Sequence, residues 1–190
     1  MHAKWARATM AIVVLWSPVS ADELRPFQSG AAYRVCFTPG MDCEGMIVAA
    51  IASAKHTIKV QAYSFTSAPI ANAIAEASER GVEVLAIVDK SQRTARYTGA
   101  TFLANAHIPV LVDVKPKIAH NKVVIIDKGD ARPIVLTGSF NFTKAAQRSN
   151  AENVIEIVGN RNVAAAHAAN FMSRKAVSVP YELRQGTRIN

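Results

Sequence analysis

Short β-branched runs alternate with helix-period segments through the first half of this chain, then crowd together in the second half. This order constrains the fold more than any other feature. A strand that leads through a helix to another strand returns parallel to it, whereas strands joined by short turns pair antiparallel. The expectation is an α/β protein: an α/β/α sandwich with a mixed β-sheet.

Residues 32–37 read as a strand, followed by the turn Thr38-Pro39-Gly40. Residues 44–54 carry Ile47, Ala50, Ile51 and Ala54 at helical spacing. Residues 57–65 form a β-rich run with Ile58, Val60, Ala62 and Ser64 on one side. Ser67 reads as a helix N-cap with Pro69 in the first turn. Ile70, Ala73, Ile74 and Ala77 then form an apolar stripe, which Gly81 ends. Residues 82–88 are a buried-type strand ending at Asp89. A polar stretch with Lys90, Arg93 and Arg96 follows, then a short helix over 101–106 and a strand over 109–114. In the second half, 122–126, 134–137 and 153–158 read as strands. The turn Asp127-Lys128-Gly129-Asp130 opens the segment between the first two. A last helix covers 162–175, with Val163, Ala166 and Phe171 among its apolar positions; the tail from Val177 carries no clear pattern.

Half of the 190 residues are hydrophobic, which suits one compact core and excludes a disordered chain. Lys4 and Arg7 precede an apolar run over 8–16, Ser17 and Pro18 break it, and Val19-Ser20-Ala21 is a small-residue cleavage site. This pattern predicts a secretory leader cut after Ala21, with residues 22–190 as a single domain in the periplasm or outside the cell. An uncleaved anchor or a buried first helix is the alternative, but the apolar run is short for a permanent span. In an oxidising compartment, Cys36 and Cys43 form either a short-loop disulfide or two partly buried thiols. Lys and Arg number 22 against 14 Asp and Glu, and the sequence pI is near 9.8. Such a surface attracts nucleic acid or anionic headgroups, and charge alone does not separate them.

The segment from Lys117 to Asp127 carries the chemistry. His120 and Lys122 are spaced by two at the mouth of a strand, so both side chains share a face. An ammonium there stabilises the non-bridging oxygens of a phosphoryl group, and a neutral imidazole attacks phosphorus or moves a proton. Downstream, Ser139 and Asn141 are again spaced by two and offer donors to phosphate oxygens, with Gly138 admitting a ligand to the backbone. Capping of a helix over 144–148 is their other reading. Glu152 opens the next strand, where its carboxylate either holds the inner nitrogen of His120 or is a solvated strand end. Asp127 is grouped with the catalytic set, although alternation turns it to the other face.

The combined pattern His120-x-Lys122-x4-Asp127, Gly138-Ser139-x-Asn141 and Asn150-x-Glu152 resembles the phospholipase D superfamily. The small size and single motif are similar to its bacterial single-motif endonucleases, the Nuc type. The likeness extends to Tyr33 through Pro39, to Ile58 through Phe65 and to the helix ending at Gly81. It implies a phospholipase D-like fold and a covalent phosphohistidine mechanism without a metal or other cofactor. One histidine attacks phosphorus and a second protonates the leaving oxygen; Lys122 and Asn141 bind phosphate, Ser139 supports that pocket, and Glu152 orients His120. None of His2, His56, His107 and His167 starts a second H-x-K. The mechanism therefore implies a homodimer with the active site at its interface. No later segment is long and apolar enough for a transmembrane helix, so no stable membrane insertion is expected once the leader is cut.

The sequence thus points to a phosphodiesterase, with non-specific cutting of DNA or RNA as the first function. A phospholipase D or cardiolipin-type lipid hydrolase would use the same groups under an apolar lid. A nucleic-acid-binding protein that no longer cuts would have no need of the intact set.

Overall fold

A computed structural model describes residues 24–95 and 97–183; the expected leader over 1–21 and Arg96 lie outside them. In chain order the elements are β1 (Ala32–Thr38), α1 (Cys43–Ala52), β2 (Thr57–Ala62), α2 (Ala68–Glu79), β3 (Glu83–Asp89), a 3-10 turn (Lys90–Arg93), α3 (Gly99–Asn105), β4 (Val110–Asp113), β5 (Lys122–Ile126), β6 (Ile134–Gly138), α4 (Lys144–Arg148), β7 (Glu152–Val158), α5 (Arg161–Lys175) and β8 (Ser178–Pro180). The strands form one 8-stranded sheet in the order β1-β7-β6-β5-β2-β3-β4-β8.

The pairing follows from the connections. β2, β3 and β4 are parallel, joined through α2 and α3. β5 turns back antiparallel to β2, and β6, β7 and β1 continue antiparallel. Alternation then sorts the core into two layers. Ile58, Val60, Val124, Ile126, Leu136 and Val154 pack with the helices α1 to α3. Val123, Ile125 and Val135 face the other way, against Ala164, Ala168 and Phe171 of α5. Each fully buried Val, Leu, Ile or Phe side chain among these contributes about 1.5–3 kcal/mol.

Helix starts are set by short polar side chains. Ser67 caps α2 as expected, and Asp42, Thr98, Thr143 and Asn160 cap α1, α3, α4 and α5. Each is worth about 1 kcal/mol. Thr143 is the cap of α4, so the capping alternative for Ser139 and Asn141 is excluded. The tail after Val177, unreadable in sequence, adds β8 to β4 and hydrogen-bonds the Tyr181 hydroxyl to Thr101. A strand this short is selected by a free sheet edge, not by its own periodicity. Asp113 at the end of β4 accepts both guanidinium bonds of Arg174, at 2.7 and 2.8 Å, which ties α5 to the sheet. Among the described residues, no helix is long and apolar enough to cross a membrane.

Cys36 and Cys43 form a disulfide with a sequence separation of 7, and both are buried. Closing a loop of this length contributes about 2.5 kcal/mol in the chain-entropy account. It fastens the edge strand β1 to the start of α1.

Asp127 requires a correction. It stands at the far end of β5 from Lys122, in a left-handed conformation with φ 47°. Its carboxylate accepts from the backbone amides of Lys55, His56 and Thr57 at 2.7–2.8 Å, and its own amide donates to the Thr57 carbonyl. Burial alone would raise its pKa, but the three amides outweigh burial and hold it below the ordinary carboxylate value. Asp127 is therefore a structural clamp between β5 and the entry to β2, not part of the reacting set. Asp127→Ala leaves three amides without their acceptor and is expected to cost about 3 kcal/mol, lowering Tm by about 6–12 °C. Because the folded pKa is depressed, the stabilisation is complete at neutral pH and fades as pH falls below about 4. Thermal melts of wild type and variant from neutral to acid pH check both statements; the two curves should converge at the acid end.

Candidate active site

The sheet topology gathers one edge. β1, β2, β3, β4 and β6 end there, and β5 and β7 begin there, because each antiparallel step reverses the chain. The registers fix the neighbours: Ala62 lies opposite Lys122, Thr137 opposite Val123, and Thr38 opposite Glu152. Lys122 has the parity of Val124 and Ile126, so it points to the α1–α3 side. Glu152 has the parity of Val154 and shares that side.

Lys122 is 6 % exposed, whereas His120 is exposed. The lysine stem lines a small cavity with Ile47, Leu136, Phe140 and Phe142. Its ammonium lies 3.2 and 3.3 Å from the two ring nitrogens of His120 and donates to the His120 carbonyl at 2.9 Å. A protonated lysine only donates, so an imidazole nitrogen paired with it acts as acceptor. Burial pushes the Lys122 pKa down, and the charge of Glu152 partly offsets this. The expected pairing of His120 with Lys122 is thus present.

Three groups that sequence reasoning left unassigned hold the His120 loop. The Tyr63 ring stands 4.6 Å from the His120 ring, centroid to centroid, and the Tyr63 amide donates to the Asn121 carbonyl. The Lys122 ammonium lies 5.4 Å from the centre of the same tyrosine ring, within cation–π range. Asp89, buried at the end of β3, accepts from the Ala119 amide at 2.7 Å and from the Ser91 amide at 2.9 Å. Burial would raise the Asp89 pKa, but these amides outweigh it and hold it below the usual value. Lys90 donates to the Pro116 carbonyl at 3.0 Å. The sequence signal for Asp89 was its place at a strand end; Tyr63 had none, since its contact is with a residue 57 positions away.

The downstream segment is arranged differently from expectation. The Ser139 hydroxyl donates to Glu152 at 2.6 Å and accepts from the Asn153 amide at 3.0 Å. The other Glu152 oxygen accepts from the Asn150 side chain at 3.0 Å. Within one chain, Glu152 is therefore held by Ser139 and Asn150, and no bond joins it to His120. Ser139 acts here as a support for Glu152; its proton is already committed. Asn141 is half-buried, and its carboxamide oxygen has no partner among the described residues. Gly138 has φ 155°, and a Cβ there would lie 2.2 Å from the Asn153 carbonyl. That carbonyl accepts from the amides of Ser139 and Phe140. Glycine is required for this backbone approach, where the sequence suggested the approach of a ligand.

Parallel bridging of Phe65 and Phe142 locks the loop after β2 to the loop after β6, and the Phe142 carbonyl accepts from Thr66 and Ser67. On the far side, the Thr38 hydroxyl donates to the carbonyls of Ala146 and Asn150. Among the described residues, no three His, Cys, Asp or Glu side chains gather in a metal-ligand group.

This arrangement has clear counterparts. Residues 47–175 match the family model described as cardiolipin synthase, PLD-like domain. A phospholipase D of Rickettsia prowazekii is 42% identical over 143 residues, which are 75% of this chain and 67% of that one. The crystal structure of Nuc from Salmonella typhimurium, a phospholipase D family member, superposes with a TM-score of 0.75 at 34% identity, over 80% of this chain and 99% of that one. NucT from Helicobacter pylori shares the fold, with a TM-score of 0.72 at 24% identity, over 80% of this chain and 99% of that one. With His120 and Lys122 paired at the sheet edge and these likenesses across most of its length, the chain belongs to the phospholipase D superfamily and is one of its phosphodiester hydrolases.

Proposed function

We propose that the chain is a metal-independent nuclease that cuts nucleic acid with little sequence preference, through a phosphohistidine intermediate. The observation that carries the reading is the buried Lys122 ammonium set against the exposed ring of His120. In the proposed first step a His120 nitrogen attacks phosphorus and a P–N bond forms. The P–O bond to the leaving group breaks, and that oxygen takes a proton from His120 of the partner subunit. In the second step the partner's His120 accepts a proton from water, the water oxygen attacks phosphorus, and the P–N bond breaks. Lys122 and Asn141 hold the non-bridging oxygens as charge builds on them. Glu152, held by Ser139 and Asn150, tunes the charge on Lys122.

Two further parts of the reading go with it. One chain brings one H-x-K histidine to the site, so the active unit is a homodimer that pairs two copies of His120. The leader pattern over 1–21 and the Cys36–Cys43 disulfide favour an exported protein. The second reading is lipid hydrolysis, favoured by the 42% identical relative named phospholipase D. The small single-motif pattern favours nucleic acid over it.

Cleavage of DNA and RNA in excess EDTA, with wild type and His120→Ala, tests the chemistry. Wild type should cut, and the variant should lose about 10⁴-fold or more. Loss of wild-type cutting in EDTA, restored by a divalent ion, would refute the metal-free step. Turnover of liposomes without any nuclease activity would favour the lipid reading.

Mixing His120→Ala chains into wild type after subunit exchange tests the composite site. Activity per wild-type chain should fall in proportion to the wild-type fraction. Constant activity per wild-type chain would show a self-sufficient monomer.

The lowered Lys122 pKa sets the alkaline limit. Activity should fall at a pH below that of an ordinary lysine, as the ammonium loses its proton. Glu152→Gln removes the charge that raises the Lys122 pKa, so the alkaline limb of the pH–rate profile should move to still lower pH. A limb that stays in place or moves up would separate Glu152 from Lys122.

A further inference from the structure

Four cations surround the loop that delivers His120, and the proposed chemistry uses none of them. Lys90 and Arg93 lie on the 3-10 turn after β3, and Lys115 and Lys117 lie on the segment after β4; all four are exposed. The two segments form one surface, because Lys90 bonds the Pro116 carbonyl and Asp89 bonds the Ala119 amide. The nearby acids do not neutralise this surface. Asp89 and Asp113 are buried at 3 % and 1 % exposure, the first committed to backbone amides and the second to Arg174. Among the described residues, Arg93, Lys115 and Lys117 take part in no ion pair.

The spread of these cations identifies the ligand. Lys117 lies three residues from His120, at most about 11 Å along the chain, while Lys115 leaves β4, which is three strand steps from β5, roughly 14 Å at about 4.8 Å per step. A single diester headgroup attacked at His120 does not extend that far. A nucleic acid strand does, since it carries a phosphate about every 3.4 Å of helix axis. Ile118, 50% exposed on the segment after β4, and Tyr97, 80% exposed between the 3-10 turn and α3, offer apolar contact to base faces.

We propose that Arg93, Lys115 and Lys117, with Lys90, form a phosphate-binding track that holds a polynucleotide on the β3–β4 side of the scissile bond. This deepens the nuclease reading and rests on it. The track makes the protein prefer polymeric over small diesters and makes its cutting salt-dependent.

The test compares the full chain with an Arg93→Ala, Lys115→Ala, Lys117→Ala variant on two substrates, an oligonucleotide and bis(p-nitrophenyl) phosphate. Lys90 is left in place because it also holds the Pro116 carbonyl. The ratio of kcat/KM for the oligonucleotide to that for the small ester should fall about 10- to 100-fold at low salt. The slope of log kcat/KM against log salt should become shallower by about 2. Small-ester turnover reports the integrity of the site, so a misfolded variant is recognised by loss on both substrates; single substitutions, which should lower the ratio in steps, then carry the test. If wild type cuts oligonucleotides and neither ratio nor salt slope changes, the track is overturned while the nuclease reading stands. If wild type hydrolyses only lipid, and the variant is impaired only on anionic phosphatidylglycerol vesicles, both fall.

Discussion

Everything at the site depends on one buried charge. Lys122 stands at the start of β5, a strand buried at every position, with its stem against Ile47, Leu136, Phe140 and Phe142. An ammonium in that setting needs compensation. It receives it from the His120 carbonyl and ring nitrogens, the Tyr63 ring and the field of Glu152. In the proposed reaction the cost of burying the charge is what makes it useful, because a phosphate arriving at the exposed His120 would meet a poorly solvated cation already in place.

The opposite end of the same strand is fixed by a charge of the other sign. Asp127 collects three backbone amides from the entry to β2, and this clamp sets the β5–β2 register at Ile126 and Ile58. Since side-chain direction has a period of two, a slip of one residue would turn Lys122 toward α5. Asp127 thus serves the site from a distance, by deciding which face its partner on β5 occupies.

Around this strand the loops are joined in pairs. Asp89 and Tyr63 hold the His120 loop, Phe142 joins the loops after β2 and β6, and Thr38 ties β1 to α4 and Asn150. The disulfide anchors β1 in turn. A cationic half of the edge, over β3 and β4, adjoins the reacting half over β5 to β7. The division follows from strand order, since residues far apart in the chain become neighbours only once β5 inserts between β2 and β6.

Much of this was legible in the chain alone. Hydrophobic periodicity located the α/β/α layers and the main elements, because period is a local property. The spacing of His120 and Lys122 placed them on one face, and Ser67 marked its helix start, for the same reason. Only the tertiary structure decided the rest. It removed Asp127 from the reacting set, since a strand-end residue leaves the alternation that sequence patterns assume. It gave Glu152 to Ser139 and Asn150, gave Gly138 to the Asn153 carbonyl, and chose the disulfide over free thiols. It added Tyr63, Asp89 and β8. Each of these rests on a contact between segments distant in sequence, and such contacts depend on strand order and register, which no local pattern specifies.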